Sequence, residues 1–301
     1  MNEILFSPPH HRWPSKVFFK KLIWSAASAC ALGGLYGWGL ERRFVRIERR
    51  SMNIAGLGEG FIGAKLAHIS DLHCSPIVRE RYLRECVELI NSFEVDFVAI
   101  TGDFITGSAP YAHRVGRVLS HLKPKIATLA CLGNHDYGIL HPRGLGTARG
   151  LADRVAEHLT RADVFVMMNE CRIFRRGRSV IQFVGVEDFW SARYDPYMAF
   201  ELARRPMPTI ALSHNPDSAQ ELARMGAHWV LSGHTHGARM GESKLSKLIV
   251  PAKHQTFLSG QYTLINDNQL YVNRGLGYGR RFCLDPRPEI TLFTLCEKTL
   301  D

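Results

Sequence analysis

The segment Cys131-Leu132-Gly133-Asn134-His135-Asp136-Tyr137-Gly138 places an amide, an imidazole and a carboxylate side by side after an apolar run that ends at Leu132. Gly and Asn are common turn residues, so the same segment is typical of a polar turn at the end of a strand. The four residues Gly133–Asp136 alone do not decide between a turn and a functional site. The decision rests on the rest of the chain, where apolar runs repeatedly stop at polar residues.

Apolar runs of strand length alternate with helical periodicity from about Phe61 onward. The segments 63–73, 95–103, 125–136, 179–188, 208–217 and 228–237 each read as a buried strand followed by polar residues. Leu83, Val87 and Ile90 fall on one face of a predicted helix. The C-terminal part is richer in alternating apolar residues and turns. The sequence therefore predicts an α/β fold of packed layers, with a second sheet from the C-terminal part.

The residues at the predicted strand ends have the chemistry of metal ligands. The carboxyl ends of strands in an α/β sheet form the ligand crevice, and oxygen and imidazole donors suit Mn, Zn or Fe. A carboxylate has two oxygens and can bridge two cations. The candidate ligands form two groups and a bridge: Asp71, His73 and His236; Asn134, His214 and His234; and Asp103 as the bridge.

The motifs DLH, GD, GNHD, the histidine of SHNPD, and GHTH occur in this order, each after an apolar run. In this order they resemble the calcineurin-like metallophosphoesterase family from about Lys65 to the C-terminus. The resemblance implies a layered β-sandwich flanked by helices and a site for two divalent metal ions, with Mn favoured and Fe or Zn as alternatives. It also implies that His135 contacts the phosphate oxygen or the leaving group, and that Asp136 orients His135.

An uncharged run from Leu22 to Leu40 precedes these motifs. As a helix it would be about 28 Å long at 1.5 Å per residue, close to the roughly 30 Å core of a bilayer. We interpret it as an uncleaved membrane anchor, with cleavage or lipidation at Cys30 as the alternative. The expected division of the chain is a basic segment 1–21, the anchor 22–40, a juxtamembrane segment 41–60 and a catalytic domain 61–301.

The anchor, the Arg-rich segment after it and the C-terminal tail resemble a membrane-associated branch of the family that includes UDP-2,3-diacylglucosamine pyrophosphatases of lipid A synthesis. This resemblance implies a lipid-linked phosphate or pyrophosphate substrate. One departure is that this chain has Ala238 and Arg239 where many relatives have Gly and Gln. Arg274, Arg280 and Arg281, beside the turn glycines Gly275, Gly277 and Gly279, are candidates to hold a pyrophosphate. The alternative substrate is another lipid-linked or nucleotide phosphodiester.

The net charge of +10 favours an anionic partner, either a phosphate ester, an anionic lipid surface or a nucleic acid. No basic stretch interleaved with aromatic residues is present, so we do not expect a nucleic-acid partner. The non-enzyme alternative is an inactive scaffold, against which the complete ligand set argues. The run Leu22–Leu40, with no second comparable run after it, predicts a single-pass protein of the inner (cytoplasmic) membrane. Seven scattered cysteines indicate free thiols in a reducing compartment, and hence a catalytic domain on the cytoplasmic face. The oligomeric state is not indicated.

A last group of acidic residues is interpreted as helix caps or turn residues: Asp153, Asp163, Asp188 and Asp217.

Overall fold

The computed structural model describes residues 20–28, 32, 43–140, 148–237, 257–277 and 287–298. Within them, two six-stranded sheets pack face to face, and helices cover their outer faces. The first sheet has the order β1-β12-β2-β3-β4-β5, and the second has the order β10-β11-β9-β8-β7-β6. This is the mixed α/β architecture, with two sheets flanked by helices, that the sequence predicts.

The first sheet consists of β1 (Arg46–Ile54), β2 (Lys65–Ser70), β3 (Phe97–Thr101), β4 (Ala127–Cys131), β5 (Val164–Val166) and β12 (Glu289–Glu297). The second consists of β6 (Glu170–Arg176), β7 (Ser179–Gly185), β8 (Thr209–Leu212), β9 (Trp229–Ser232), β10 (Gly260–Thr263) and β11 (Gln269–Val272). The helices are α1 (Glu80–Asn91), α2 (Pro110–Leu119), α3 (Leu151–Thr160), α4 (Pro196–Phe200) and α5 (Ala219–Met225).

Side chains of the central strands are buried on both faces, because each sheet lies between the other sheet and a layer of helices. In β3, Phe97 and Ala99 pack between the sheets, whereas Val98 and Ile100 face the helices. Successive side chains of a strand point to opposite faces, so such a strand is apolar at most positions. The apolar runs in the sequence have this origin.

The predicted apolar face of α1 is confirmed. Leu83, Val87 and Ile90 are buried together with Tyr82 and Cys86, and they pack on the outer face of the first sheet.

The C-terminal strands divide between the two sheets. β10 and β11 extend the second sheet beside β9, but β12 lies in the first sheet, antiparallel to β2 with Thr291 beside His68. The second sheet is therefore built mainly by β6–β9 from the middle of the chain, rather than by the C-terminal part. Local sequence periodicity does not indicate which sheet a strand joins.

β1 lies inside the segment that the sequence analysis treats as juxtamembrane. It pairs in parallel with β12, and Met52 and Ile54 are fully buried between the sheets. The sequence of β1 shows no continuous apolar run, because Arg49 and Arg50 are exposed and only the later residues Met52 and Ile54 are buried. The first sheet therefore begins at Arg46, ahead of the predicted domain boundary at residue 61.

Residues 20–28 are helical, and Leu22, Ile23 and Trp24 on this stretch are exposed. Across the part of the chain that the structure describes, no helix has both the length and the apolar character needed to cross a bilayer. Most of the predicted anchor, including Cys30, lies outside the described residues.

Candidate metal centre

The candidate ligands lie in the loops that follow β2, β3, β4, β8 and β9, at one edge of both sheets. Several adopt left-handed backbone conformations, which non-glycine residues rarely do. Asp71 has a φ of 49°, Asp103 of 54° and His234 of 71°. Backbone hydrogen bonds hold the first two loops together, because Asp71 N donates to Gly102 O at 3.0 Å and His73 N donates to Asp103 O at 2.9 Å. Such strain is typical of functional sites.

One group of side chains converges from the loops after β2, β3 and β9. His73 Nε2 lies 2.9 Å from His236 Nε2 and 3.5 Å from Asp103 Oδ2, while Asp71 Oδ1 lies 3.4 Å from His236 Nε2. One ligand atom from each of these four residues lies within 4.8 Å of every other. Two imidazoles and two carboxylates at this spacing are a donor set for a divalent cation.

A second group meets on the other side of Asp103. Its Oδ2 lies 3.3 Å from His214 Nε2, which in turn lies 3.3 Å from His234 Nδ1. His234 Nδ1 is 3.0 Å from Asn134 Oδ1. The structure thus brings together all seven predicted ligands, with Asp103 between the two groups.

The polar atoms at this centre fit a cation that the residues would share. Asp71 Oδ1 is buried and lacks a hydrogen-bond partner among the described residues, although Oδ2 accepts from the Ser70 hydroxyl and from His234 N. A buried carboxylate oxygen without such a partner is costly unless another group compensates its charge. The imidazole nitrogens of His236 and His73 lie 3.4 and 3.9 Å from Asp71 Oδ1. A divalent cation among them would compensate the carboxylate charge and accept the imidazole lone pairs.

Electrostatics among these side chains favour an ionised bridge. Burial alone would raise the pKa of Asp103, but the adjacent His214, followed by His73 and His135, holds its pKa well below the usual range. Burial alone would lower the pKa of His214, yet Asp103 and Asp71 hold it well above its ordinary value. In the side chains alone, Asp103 and His214 therefore form a buried ion pair.

Burial is the main cause of the pKa shifts of two other candidate ligands. Burial raises the pKa of Asp71 to about 6, an effect that His214 opposes. It lowers the pKa of His234 to about 3, with the charge of His214 acting in the same direction. At neutral pH His234 is a neutral imidazole, the form that binds a metal.

His135 lies at the mouth of this centre. Its backbone N donates to Asp103 Oδ1 at 2.9 Å, and its ring Nε2 lies 4.0 Å from Asp103 Oδ2. The ring also packs edge-on against His73, with centroids 5.0 Å apart. Its side chain is 12% exposed, so the ring can reach a molecule bound at the two ligand groups.

Asp136, which is expected to orient His135, contacts backbone groups around the turn that carries His135. Its carboxylate accepts from the backbone N of Gly133, Phe104 and Ile105, at 2.9, 2.9 and 3.2 Å. The carboxylate thereby joins the loop after β3 to the turn after β4. Burial, followed by the charge of Asp103, raises the pKa of Asp136 to about 8. Within the 3-10 turn Asn134–Tyr137, the Asp136 side chain is buried, whereas the His135 side chain is partly exposed.

Asp188 and Trp190, after β7, also belong to this region, and the sequence analysis does not include them in the site. Asp188 is fully buried, and its Oδ1 accepts from Trp190 N at 2.9 Å, which is the predicted turn contact. Burial, opposed by His214, raises the pKa of Asp188 to about 7. The Trp190 ring packs edge-on against His234, with centroids 4.6 Å apart. The sequence contained one signal for Asp188, its position: the segment GVED, 185–188, ends an apolar run, as GNHD does.

The segment after β11 closes over the first ligand group. Leu276 N donates to Ser70 O at 2.9 Å, and Gly277 N donates to Asp71 O at 2.7 Å. Gly275 has a φ of 80°, and a Cβ there would lie 2.6 Å from Asp71 Cβ. Gly275 and Gly277 follow the end of β11, and they pack directly on a candidate ligand.

Arg274 Nε lies 3.4 Å from the buried Glu289 carboxylate. The remaining residues expected near the substrate lie outside the described part of the chain: Ala238, Arg239, Gly279, Arg280 and Arg281.

Comparison with known proteins gives concordant matches. Residues 64–238 match the family model described as calcineurin-like phosphoesterase. The chain is 30% identical to the uncharacterized metallophosphoesterase YkuE of Bacillus subtilis, over 90% of this chain and 93% of that protein. It is 26% identical to the UDP-2,3-diacylglucosamine pyrophosphatase LpxG of Chlamydia trachomatis, over 84% of this chain and 90% of that protein. It is 27% identical to the phosphodiesterase YaeI of Escherichia coli, over 77% of this chain and 82% of that protein.

Proposed function

Since the chain belongs to the calcineurin-like phosphoesterase family and is a hydrolase of phosphorus esters or anhydrides, we propose that it is a membrane-anchored UDP-2,3-diacylglucosamine diphosphatase. It would release UMP and 2,3-diacylglucosamine 1-phosphate in lipid A biosynthesis. The likeness to LpxG, the uncharged run Leu22–Leu40 and the net charge of +10 support this substrate.

The observation that carries the proposal is the convergence of the seven candidate ligands on the two sides of Asp103. Loops from both sheets supply them, and every one lies within a few ångströms of the next. Members of the family use a dinuclear divalent metal site, and we assign Asp71, His73 and His236 to one ion and Asn134, His214 and His234 to the other. Asp103 would hold both.

Two divalent ions bound there would polarise phosphoryl oxygens and lower the pKa of a water molecule. We propose Mn as the native metal, with Fe or Zn accepted by the same donors. The protein supplies the remaining steps. Asp103, kept ionised by His214, holds the two ligand groups at a fixed separation, and the buried position of His234 keeps its ring neutral and ready to bind.

His135 is assigned as the catalytic group that meets the leaving oxygen. Its ring borders Asp103 and His73 and is 12% exposed, so it can donate a proton or a hydrogen bond to the departing group. Asp136 acts as a positioning residue, because its three backbone hydrogen bonds fix the turn that presents His135.

The location of the protein is part of the proposal. We assign residues 22–40 as a single-pass anchor in the inner membrane, after a basic segment 1–21. The catalytic domain would lie on the cytoplasmic face. Consistent with a reducing compartment, the cysteines that the structure describes are free thiols: Cys74, Cys86, Cys131, Cys171 and Cys296.

The test is UMP release from UDP-2,3-diacylglucosamine by the full-length protein in detergent, with Mn present and then chelated. Asp103→Asn keeps the size of the side chain but removes the charge, and we expect it to lose turnover and bound metal. Asp163→Asn makes the same chemical change at an exposed position away from the centre and should keep both. UMP release that persists under chelation, or in Asp103→Asn, would refute the proposed mechanism.

A second candidate is another phosphodiester, favoured by the 27% identity to the phosphodiesterase YaeI. It would be indicated by metal-dependent cleavage of bis(p-nitrophenyl) phosphate, lost in Asp103→Asn, without any UMP release from the lipid substrate. That result would retain the metal chemistry and reject the lipid A assignment.

A further inference from the structure

The first residue of β1, Arg46, lies at the edge of the first sheet that carries the candidate metal centre. β12 is antiparallel to β2, with Thr291 beside His68, and parallel to β1, with Arg46 beside Glu289. The first residue of β1 therefore lies level with the last residues of β2, after which Asp71 and His73 follow. Glu289 N, one strand away from Arg46, donates to Gly275 O at 3.1 Å, and Gly275 packs on Asp71.

The lateral distance between these points is short. Only β12 separates β1 from β2, so Arg46 lies about 10 Å across the sheet from the end of β2, given strand spacings of about 4.8 Å. The uncharged run ends at Leu40, and the segment from Leu40 to Arg46 spans at most about 20 Å when fully extended. A membrane anchor that ended at Leu40 would thus be tethered within roughly 30 Å of the candidate metal centre.

A groove of about 610 Å³ begins at this edge, beside the residues before β1, and runs along α1 from Arg79 to Leu89. Phe44 and Leu89 contribute apolar walls, and Phe44 is 54% exposed. Arg43, Arg79 and Arg81 line the same groove. Apolar walls beside cationic groups are the combination that fits a lipid headgroup and the upper part of its acyl chains.

The charge of the groove is positive. The acidic residue in its lining is Glu85, whose carboxylate lies 3.1 Å from Arg81 Nε. Arg81 remains 91% exposed despite this contact, so its guanidinium can still meet an anion from the solvent side. The three arginines outnumber the single carboxylate, so the lining carries a net positive charge. Each basic residue near an anionic bilayer contributes favourably to the free energy of binding.

We propose that this groove binds an anionic phospholipid of the bilayer, and that the edge of the sheets carrying the metal centre faces the membrane. The inference rests on the proposed membrane anchor, and it adds an orientation and a lipid site that the anchor alone does not specify. The metal centre would then meet a lipid-linked pyrophosphate at the headgroup level, so the acyl chains need not leave the bilayer.

The experiment measures lipid contact at two edges of the full-length protein. Reconstituted vesicles contain phosphatidylcholine with about one fifth phosphatidylglycerol, each lipid tagged for detection. Photoreactive benzoylphenylalanine is placed at Glu85, in the groove, or at Arg178, in the turn before β7 at the opposite edge. We expect cross-linking to lipid from position 85 and not from position 178. Equal cross-linking from both positions, or none from position 85, would overturn the orientation.

The charge dependence is tested with the probe at position 85. Arg79→Gln combined with Arg81→Gln should lower the cross-linked phosphatidylglycerol roughly fivefold for each arginine removed. The matched pair Arg175→Gln and Arg178→Gln, exposed on the far hairpin, should leave the yield unchanged. An unchanged yield in the groove variant would overturn the assignment of an anionic lipid. Cross-linking needs no turnover, and UMP release from the same vesicles reports separately on the proposed substrate.

Discussion

At the scale of single residues, His135 and the seven candidate ligands have separable roles. The ligands face one another across 2.9 to 3.9 Å, whereas the His135 ring borders the cluster at 4.0 Å from Asp103. Removing His135 should therefore leave the donor set intact.

We predict that His135→Ala retains two equivalents of metal but lowers kcat roughly 10²- to 10⁴-fold, the usual contribution of a general acid. The loss should be smaller for substrates whose leaving group is already acidic, such as a nitrophenolate. Metal analysis and kcat for two leaving groups provide the measurement, with His121→Ala, exposed and distant, as the control. A variant that lost metal and activity together would place His135 among the ligands.

The buried Asp103–His214 pair predicts the pH dependence of metal binding. Because Asp103 holds the pKa of His214 well above its ordinary value, His214 Nε2 carries a proton at neutral pH until a cation displaces it. The folded-state pKa is raised, so this proton stays bound as the pH falls and competes increasingly with the metal. His234, whose pKa is lowered to about 3, is already neutral and contributes no proton.

We therefore expect Mn binding to release about one proton from His214 near pH 7, and the apparent affinity to rise with pH. Titration calorimetry in two buffers of different ionisation enthalpy measures the released protons. Binding enthalpies that agree between the buffers would show that His214 is unprotonated before the metal binds.

At the scale of elements, the turn after β11 shapes the first ligand group through backbone contact. Gly275 allows the chain to pass directly over Asp71, and Leu276 and Gly277 bond to the end of β2. A turn or strand-end position was predictable for these glycines from the sequence, but the ligand against which they pack was not.

We predict that Gly275→Ala lowers metal affinity at the Asp71 group, because the new Cβ would displace the carboxylate. Gly260→Ala is the matched control, since its φ of 87° imposes similar backbone strain while a Cβ there meets no atom within 4 Å. Metal titration and thermal unfolding of both variants distinguish the two effects. Equal losses of affinity would attribute the effect to backbone strain alone.

The sequence predicts those elements whose residues carry a local signal, and it misses those that depend on distant partners. β2, β3, β4, β8 and β9 were predictable because they are largely apolar on both faces and are followed by the candidate metal ligands. β1 was not, since its exposed arginines hide the strand and its partner, β12, is far away in the chain. The contacts of Asp136 were also not predictable, because its place in the motif does not indicate which groups its carboxylate accepts hydrogen bonds from.

At the scale of the whole molecule, the candidate metal centre lies between the two sheets. Asp71, Asp103 and Asn134 follow strands of the first sheet, whereas His214 and His234 follow strands of the second. Ions held between these loops would oppose separation of the sandwich, so metal binding should stabilise the entire fold.

We predict that Mn at about one hundred times its Kd raises the free energy of unfolding by about 2.7 kcal/mol for each site, and that chelation reverses this gain. Thermal unfolding with Mn and with a chelator provides the measurement. Asp103→Asn should lose most of the increment, and Asp163→Asn should keep it. An increment of the same size in Asp103→Asn would place the metal elsewhere.

The position of β12 between β1 and β2 has a consequence for biosynthesis. The ribosome makes β1 first among the described strands and β12 last, yet β12 lies between β1 and β2 and supplies the partner of β1. During translation β1 must therefore wait unpaired while the other ten strands emerge. A nascent chain stalled before Glu289 would keep an open sheet edge, which makes such chains candidates for chaperone binding and proteolysis.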